Sequence, residues 1–513
     1  MSLCYVPSQA LYTHSTLANT MSRKHIPQGL ESCRKDSIHY EMMRTRYHNS
    51  YVPDRYPAEV LVPSSAEDVA AAMKRASKAG IQVGVRSGGH QWAASSLIQN
   101  GILLDMQNVN HEINYDASAE TIIFGPSCNG FEMSKAMLDV GRFFPHGHTG
   151  SVSLGGFLAA GGQGWFFRGW GLTCESWILQ IEVVTANGDI LICNKEQNPD
   201  LFWAARGSGQ GFFAVVTKYW GRTIPARQLY QSRLVFNASE RYEEIMGFLF
   251  QANEETPKEG TDAALISFYY EKYAPSDTEE IKDRSQFAIA LVVVAYTDSI
   301  ESARELLGAY GEARVPDNLK KYLAVADDTQ HTTWAELFKD QEGLVPFDNG
   351  ERWQCGSILT DPTQPRAEGT STDVKTFVMQ IIKAIKPAMV DLPTRQSVGC
   401  ISFADLEPDE KHQAASLQQQ YYVASMVCWK DPREDARMHQ WLAQVNDSMK
   451  HAALGVYVAD FNQQFAVKKV LSETAFARYT QLRQKWDQQS LFQGFRGLNS
   501  CVGDESEVSK GGL

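Results

Sequence analysis

The sequence predicts an α+β protein of two domains, interleaved or consecutive, and three observations carry that expectation. At 513 residues the chain exceeds what one hydrophobic core usually supports. Its first part opens on a β-α-β pattern and then turns unusually rich in glycine. Beyond Pro225 the composition changes, and strand-like runs alternate with polar helical stretches. A hydrophobic fraction of 43% with 11% aromatic and 21% charged residues is that of a globular enzyme able to bury a large cofactor. The net charge of -12 supplies no basic footprint for nucleic acid and argues equally against binding an acidic membrane surface.

The elements follow in order. After an irregular first fifty residues, Pro57 to Val62 reads as a short strand, and Ser64 with Glu67 offers a capping box for a helix running to Ala79, closed by Gly80. Strands are expected over 81–85, 101–106 and 120–124, with a helix from about Phe131 to Asp139 before Gly141. No Gly-x-Gly-x-x-Gly opens a helix here, so a nicotinamide dinucleotide site is a poor reading. Asn187-Gly188 between two apolar runs marks a hairpin over 179–193. Later runs over 264–270, 287–296, 397–403 and 421–429 read as strands, and polar stretches near 302–308 and 433–447 as helices. Aromatic residues in this half, Phe268, Tyr269, Tyr270, Trp353, Tyr422 and Trp429, are candidates to line a pocket, with core packing the better reading for any single one.

Nine scattered cysteines form no Cys-x-x-Cys pair, which reads as reduced thiols. Residues 1–20 lack the continuous apolar core of a secretory signal, and no window is long and apolar enough to span a bilayer. A cytoplasmic protein is expected, in which the sequons at Asn237 and Asn446 would go unused. His146 and His148 lack nearby cysteine or acidic partners, so no metal site is expected.

Three segments carry the chemistry. In Val85-Arg-Ser-Gly-Gly-His90-Gln-Trp-Ala-Ala-Ser95 a strand breaks into two glycines and a histidine. Amides freed at Gly88 and Gly89 suit a nest for a pyrophosphate, with a nucleophilic imidazole beside it. Taken alone, the triplet also fits a tight turn with a solvated histidine. From Gly147 to Gly171 glycines recur so densely that close backbone approach to a ligand explains them better than a plain helix. The third segment is Pro199-Asp-Leu-Phe-Trp-Ala-Ala-Arg-Gly, followed by further glycines and Phe213-Ala-Val-Val-Thr217.

Together these segments, spread over about Ala58 to Pro225, resemble the berberine bridge enzyme-like oxidases of the vanillyl-alcohol oxidase superfamily. The chain departs from their usual Phe-Gly-Val-Val-Thr at Ala214, and Gln488 replaces a proline near the end. The resemblance implies a PCMH-type, two-part FAD-binding domain over 1–225 with its core at about 54–225. A substrate domain over 226–454 follows, an antiparallel sheet covered by helices. Residues 455–513 return to the FAD domain and end in a loosely ordered polar tail from Asn499.

The resemblance also implies that His90 bonds covalently to the 8α-methyl of FAD, with Arg86, Ser87, Gly88, Gly89, Gln91 and Ser95 touching the pyrophosphate or ring edge. Thr149 stands where many members carry a second flavin-linking cysteine, so a single linkage is expected. Thr149, Ser151, Val152, Gly155, Gly156, Gly161 and Gly162 supply the second cofactor wall. Val152 occupies the position whose small side chain favours an oxidase over a dehydrogenase; the alternative is that it merely packs. Tyr457, with Asp460 and Tyr422, is the candidate for handling the substrate proton, as a base or as a hydrogen-bond partner, and ordinary strand packing stays open for it. The expected activity is oxidation of an alcohol, amine or activated C–H centre of a small, secondary-metabolite-like molecule, with O2 reduced to H2O2. The rivals are a carbohydrate oxidase yielding a lactone and a non-redox flavoprotein, a cyclase or a binding protein.

Overall fold

The computed structural model describes residues 31–270, 286–347, 349–360, 374–462, 465 and 467–495. The polar tail from Asn499 lies outside them.

The first sheet holds β1 (Glu31–Arg34), β2 (Glu59–Val62), β3 (Val83–Arg86) and β4 (Ile102–Asp105) in the order β1-β2-β4-β3. β2, β4 and β3 run parallel, as a β-α-β start requires, and β1 is an antiparallel edge. The crossover helix Ala66–Ala79 stops at Gly80, whose φ of 62° is the left-handed conformation that glycine adopts without steric cost. Its cap corrects the sequence reading. Ser65, not Ser64, accepts the Asp68 N–H at 3.1 Å, while the Asp68 carboxylate reaches back to Ser64.

The second sheet orders β5 (Asn114–Asp116), β6 (Thr121–Phe124), β10 (Val215–Arg222), β8 (Ile178–Val184) and β9 (Ile190–Cys193) as β5-β6-β10-β8-β9, all antiparallel. The β8–β9 hairpin is the one that Asn187-Gly188 marked, with Gly188 at φ 81°. The expected helix near 131 is Gly130–Asp139, fixed by a reciprocal capping box between Asn129 and Glu132. A two-stranded ribbon joins β7 (Arg142–Phe143) to β11 (Ile224–Pro225).

The third sheet holds β12 (Gln228–Phe236), β13 (Thr261–Tyr269), β14 (Phe287–Thr297), β15 (Leu323–Thr332), β16 (Arg352–Thr360), β17 (Val398–Leu406) and β18 (Gln419–Trp429). Its order is β15-β12-β14-β13-β17-β18-β16, antiparallel throughout. Three of these strands, β12, β15 and β16, go beyond those read from the sequence. One face carries Leu234, Leu265, Leu291, Ile401 and Val423 into a core shared with the helices Tyr242–Glu254 and Val374–Ala384. Burying each such side chain stabilises by about 1.5–3 kcal/mol. The opposite face turns Val294, Ala404 and their neighbours toward the core of the first two sheets.

The C-terminal helix Glu473–Trp486 packs on that same first core through Ala475 and Tyr479, and the Tyr479 hydroxyl donates to the Gly211 carbonyl at 2.7 Å. Beyond it Val83 N–H donates to the Leu491 carbonyl at 2.7 Å, tying the last described segment to β3. Asn49, buried, clasps the backbone of Trp353 in both directions at 2.7 and 2.8 Å. That exchange ties the loop before β2 to the third sheet.

At the end of β4 the Asp105 carboxylate has no solvent exposure and receives the guanidinium groups of both Arg86, at 2.6 Å, and Arg46. Burial alone would raise its pKa; the two arginines outweigh burial and hold it below the usual carboxylate range. Removing one partner of such a cluster leaves buried charge uncompensated. Asp105→Asn is therefore expected to cost about 3–5 kcal/mol in a denaturant titration, with the loss already present at neutral pH. A midpoint equal to wild type would mean that the arginines find other compensation.

Candidate active site

The turn after β3 is built from both sides. Arg86 itself is committed to Asp105 and to the carbonyls of Met43 and Arg44, at 2.6 and 3.2 Å, so its side chain anchors the turn and offers no charge to a phosphate. That corrects its expected place among the ligand contacts. Gly89 takes φ 80°, and a side chain there would press on the Arg46 carbonyl and Tyr47. A methyl on Gly88 would collide with the Ser153 side chain, and one on Gly155 with those of Ser87 and Pro126, so each segment's glycine makes room for a serine of the other.

His90 leaves this turn half-buried, with Nε2 and Ser151 Oγ 2.9 Å apart. His48 stacks on its ring at a centroid distance of 3.7 Å and an interplanar angle of 25°, and Phe347 meets it edge-on. Burial first, then the neighbouring His48, drive the His90 pKa well below its ordinary value against the pull of Ser151. His48 is pushed down to about 4 by burial and Arg46. Both rings are neutral near pH 7, the state in which an imidazole is a nucleophile. Gln91 and Ser95 bind each other, and Gln91 Nε2 reaches the Ala459 carbonyl at 3.3 Å, so these two brace the turn against the segment carrying Tyr457 and Asp460.

The second glycine segment is a chain of turns and two short helices, Leu154–Ala159 and Phe167–Trp170, not one plain helix. Thr149 and Val152 share a turn closed by a 3.2 Å backbone bond, and Val152 is half-buried within it. Gly161 and Gly162 hold φ of 106° and 80°. Gly156 is exposed, and a side chain there would meet nothing within 4 Å.

Beside this segment a cavity of about 490 Å³ opens between β12, β13, β14, β15 and the helix Trp334–Leu344. Its sheet wall mixes the apolar Val235, Ile266, Ala290, Val292 and Val294 with Gln231 and Arg233 of β12, the helix side adds Lys339 and Asp340, and His148, Trp165 and Asp262 also stand on its lining. His148 Nε2 lies 3.1 Å from Asp262 Oδ2, whereas His146 is turned to the Gly147 carbonyl and pushed down to about 4 by burial. The two histidines thus serve different partners. Among the described residues His111, Cys128 and Glu132 do cluster, but the Glu132 carboxylate is already engaged in its helix cap.

The candidate proton residues gather at the other end of the same sheet face. Tyr422 donates to Asp460 at 2.8 Å, and its ring meets that of Tyr457 edge-on at 5.8 Å. They lie outside the cavity lining, separated from it by β17, where Ser402 pairs with both Ala264 and Tyr422. Burial, then Asp460, push the Tyr457 hydroxyl up rather than down. Tyr422 is raised by the same causes, and burial raises the Asp460 carboxyl. Both tyrosines therefore keep their protons near neutral pH, and Tyr422 is the donor to Asp460. The aromatic candidates divide as well. Phe268, Tyr269 and Tyr270 line the cavity, Trp353 packs against Trp92, and Trp429 sits with Tyr51 and His439.

His48 and the His148–Asp262 contact were not assigned from the sequence. Nothing local marks His48, which reaches the site through folding of the irregular segment before β2. Asp262 did leave a signal, a lone charge in the otherwise apolar strand β13.

Comparisons with known proteins now bear on this geometry. Residues 57–194 match the family of FAD binding domains. The chain is 28% identical over 469 residues to the FAD-linked oxidoreductase nodO of Hypoxylon pulicicidum, covering 89% of this chain and 94% of that protein. Its fold matches the berberine bridge enzyme-like 1 protein of Physcomitrella patens with a TM-score of 0.71 at 18% identity, over 91% of this chain and 97% of that one. The chain is an FAD-linked oxidoreductase with the fold of the berberine bridge enzyme-like proteins. A shorter match, 28% over 219 residues and about two-fifths of each chain, is to the glucooligosaccharide oxidase of Sarocladium strictum.

The residues of this oxidoreductase fit the cofactor. Glycines strip side chains from both facing segments, Gly156 leaves its position open, and the histidine between the segments is neutral. No helix among the described residues is long and apolar enough to cross a membrane.

The raised tyrosines carry a pH prediction. An alkaline difference titration is expected to show no tyrosinate from Tyr457 below about pH 10, the ordinary phenol value. A band in that range that disappears in Tyr457→Phe would restore Tyr457 as a base.

Proposed function

We propose that this protein is an FAD oxidase, singly linked through His90, that oxidises an alcohol, amine or activated C–H centre of a small, largely apolar organic molecule and reduces O2 to H2O2. The observation that carries the reading is His90 itself: a neutral imidazole in a glycine turn, stacked on His48, with Nε2 engaged by Ser151 and Nδ1 left as the nitrogen for a bond to the flavin. Thr149 in place of a cysteine leaves no thiol in that segment for a second linkage. Bound FAD supplies the two-electron chemistry and the route to oxygen. The two glycine segments would hold the cofactor, β12–β14 line the cavity that would take the substrate, and Tyr422, Tyr457 and Asp460 cluster along the same sheet face. Val152, small and on the glycine segment, fits the oxygen side.

A carbohydrate oxidase is the second reading, favoured by the match to a glucooligosaccharide oxidase. The cavity lining carries groups for either substrate, since β14 offers the apolar Ala290, Val292 and Val294 while Gln231, Arg233, Asp340 and Gln341 are hydrogen-bonding groups that a sugar needs. Screening apolar alcohols and amines beside oligosaccharides for anaerobic bleaching of the flavin separates the two. Bleaching by sugars alone would overturn the proposal.

Acid precipitation of the wild type is expected to leave yellow flavin on the pellet, and His90→Ala to release it into the supernatant while still binding FAD. Flavin recovered on another residue in a peptide map refutes the linkage. For oxygen, Val152→Leu is expected to slow reoxidation of the reduced enzyme by about tenfold or more, a barrier change of about 1.4 kcal/mol, while sparing reduction by substrate. Equal stopped-flow reoxidation rates would remove Val152 from the oxygen path.

A further inference from the structure

The pair formed by His148 and Asp262 has no part in the roles assigned so far. Asp262 stands on β13, where the residues sharing its face, Ala264, Ile266 and Phe268, are apolar and line the cavity with it. A lone carboxylate on such a wall is costly unless it is paired. Its side chain is 5% exposed, and its Oδ2 accepts the Phe166 N–H at 2.7 Å and faces His148 Nε2 at 3.1 Å.

An ionised carboxylate only accepts, so the contact fixes the tautomer: Nε2 carries the proton toward Asp262, and Nδ1 is the nitrogen with a lone pair. Nδ1 makes no hydrogen bond with another described residue. Trp165 lies against the ring at a centroid distance of 4.6 Å and restricts its swing. An imidazole held on one nitrogen by a buried carboxylate, with the other nitrogen free at a cavity, is the arrangement that accepts a substrate proton and stabilises the imidazolium that results.

We propose that His148 is the catalytic proton acceptor of this oxidoreductase and that Asp262 is its positioning residue. The proposal rests on the reading of the cavity as the substrate's place. For an alcohol, the O–H bond breaks and its proton goes to His148 Nδ1. The electron pair left on oxygen forms the carbonyl as the C–H hydrogen departs with its two electrons to the bound FAD, the oxidant. The imidazolium later returns its proton, so that substrate hydrogens and electrons together account for O2 becoming H2O2. An amine follows the same balance through its N–H. Tyr422 and Tyr457, which keep their protons, are left to donate hydrogen bonds along the same face.

The test uses the FAD-loaded enzyme and 4-nitrophenol, an apolar ring with one acidic hydroxyl whose ionised form is yellow. Difference spectra are taken in a buffer acidic enough that the free phenol is colourless. The wild type is expected to bind the phenol and display the ionised band. In His148→Gln, which can still donate to Asp262, the ionised fraction of bound phenol is expected to fall about tenfold or more, the equivalent of one pKa unit, with the phenol still bound. Asp262→Asn is expected to lower it as well. Bound but colourless phenol in the wild type, or an undiminished band in His148→Gln, overturns the proposal. Phenol that does not bind the wild type, or binds equally to Val292→Trp, which fills the cavity, overturns the cavity reading instead.

Discussion

The Asp105 carboxylate, stripped of solvent at the end of β4, is the constraint on which the site depends. A buried charge of this kind persists only with full compensation, and the two guanidinium groups that provide it come from the two chain segments that carry His48 and His90. Arg86 is the last residue of β3, immediately before Ser87 and the glycines that lead to His90. Arg46 lies two residues before His48. Joining both arginines to one carboxylate sets the two chain segments at a fixed separation, and the His48–His90 stack is the consequence. The Arg86 guanidinium also lies over the Tyr47 ring at 4.8 Å, which closes the remaining gap between the segments. Glycine at position 89 follows from the same packing, since the Arg46 carbonyl leaves no room for a side chain.

The third sheet supplies the other half of the site by splitting its two faces between different tasks. One face is apolar and closed by helices; the other carries polar groups along a row of neighbouring strands, beginning with Gln231 and Arg233 on β12. At β13 stand Asp262 and the apolar cavity, and at β18 stands Tyr422 with Asp460. Between them β17 contributes only small side chains, Cys400 and Ser402, because its register pairs Ser402 with Ala264 on one side and with Tyr422 on the other. Burial pushes the Cys400 thiol up to about 12, so it stays protonated and inert. The face therefore offers an apolar recess with a histidine–carboxylate pair at one end and a pair of proton-retaining phenols at the other.

Much of this was legible in the sequence, for reasons that are local. Gly80, Asn187-Gly188 and the Asn129–Glu132 cap each act within a few residues, so the elements they delimit were found within a residue or two. The helix after β2 slipped by one cap because Ser64 and Ser65 are both competent, and only the path of the chain chooses between them. Strand β15 escaped notice because it is a half-exposed edge whose Ala-Asp-Asp-Thr-Gln-His run lacks the apolar signal of a strand; its pairing with β12 makes it one. The six aromatic candidates shared one description in the sequence and four locations in the fold, since alternation along a strand assigns a side but not the partner that covers it.

The sequence by itself determined the fold class, the glycine-bounded turn that presents His90, and the second glycine segment facing it, because backbone freedom and periodicity are written residue by residue. It did not determine which charges meet. Arg86 reads as a ligand for phosphate until Asp105 claims it, and Tyr457 reads as a base until burial and Asp460 fix its proton in place. His148 finds Asp262 across 114 residues, and His48 finds His90 across 42. Proton affinity depends on desolvation and on charges a few ångströms away, and those neighbours are chosen by the packing of distant segments, so the chemistry of the site was decided by tertiary structure alone.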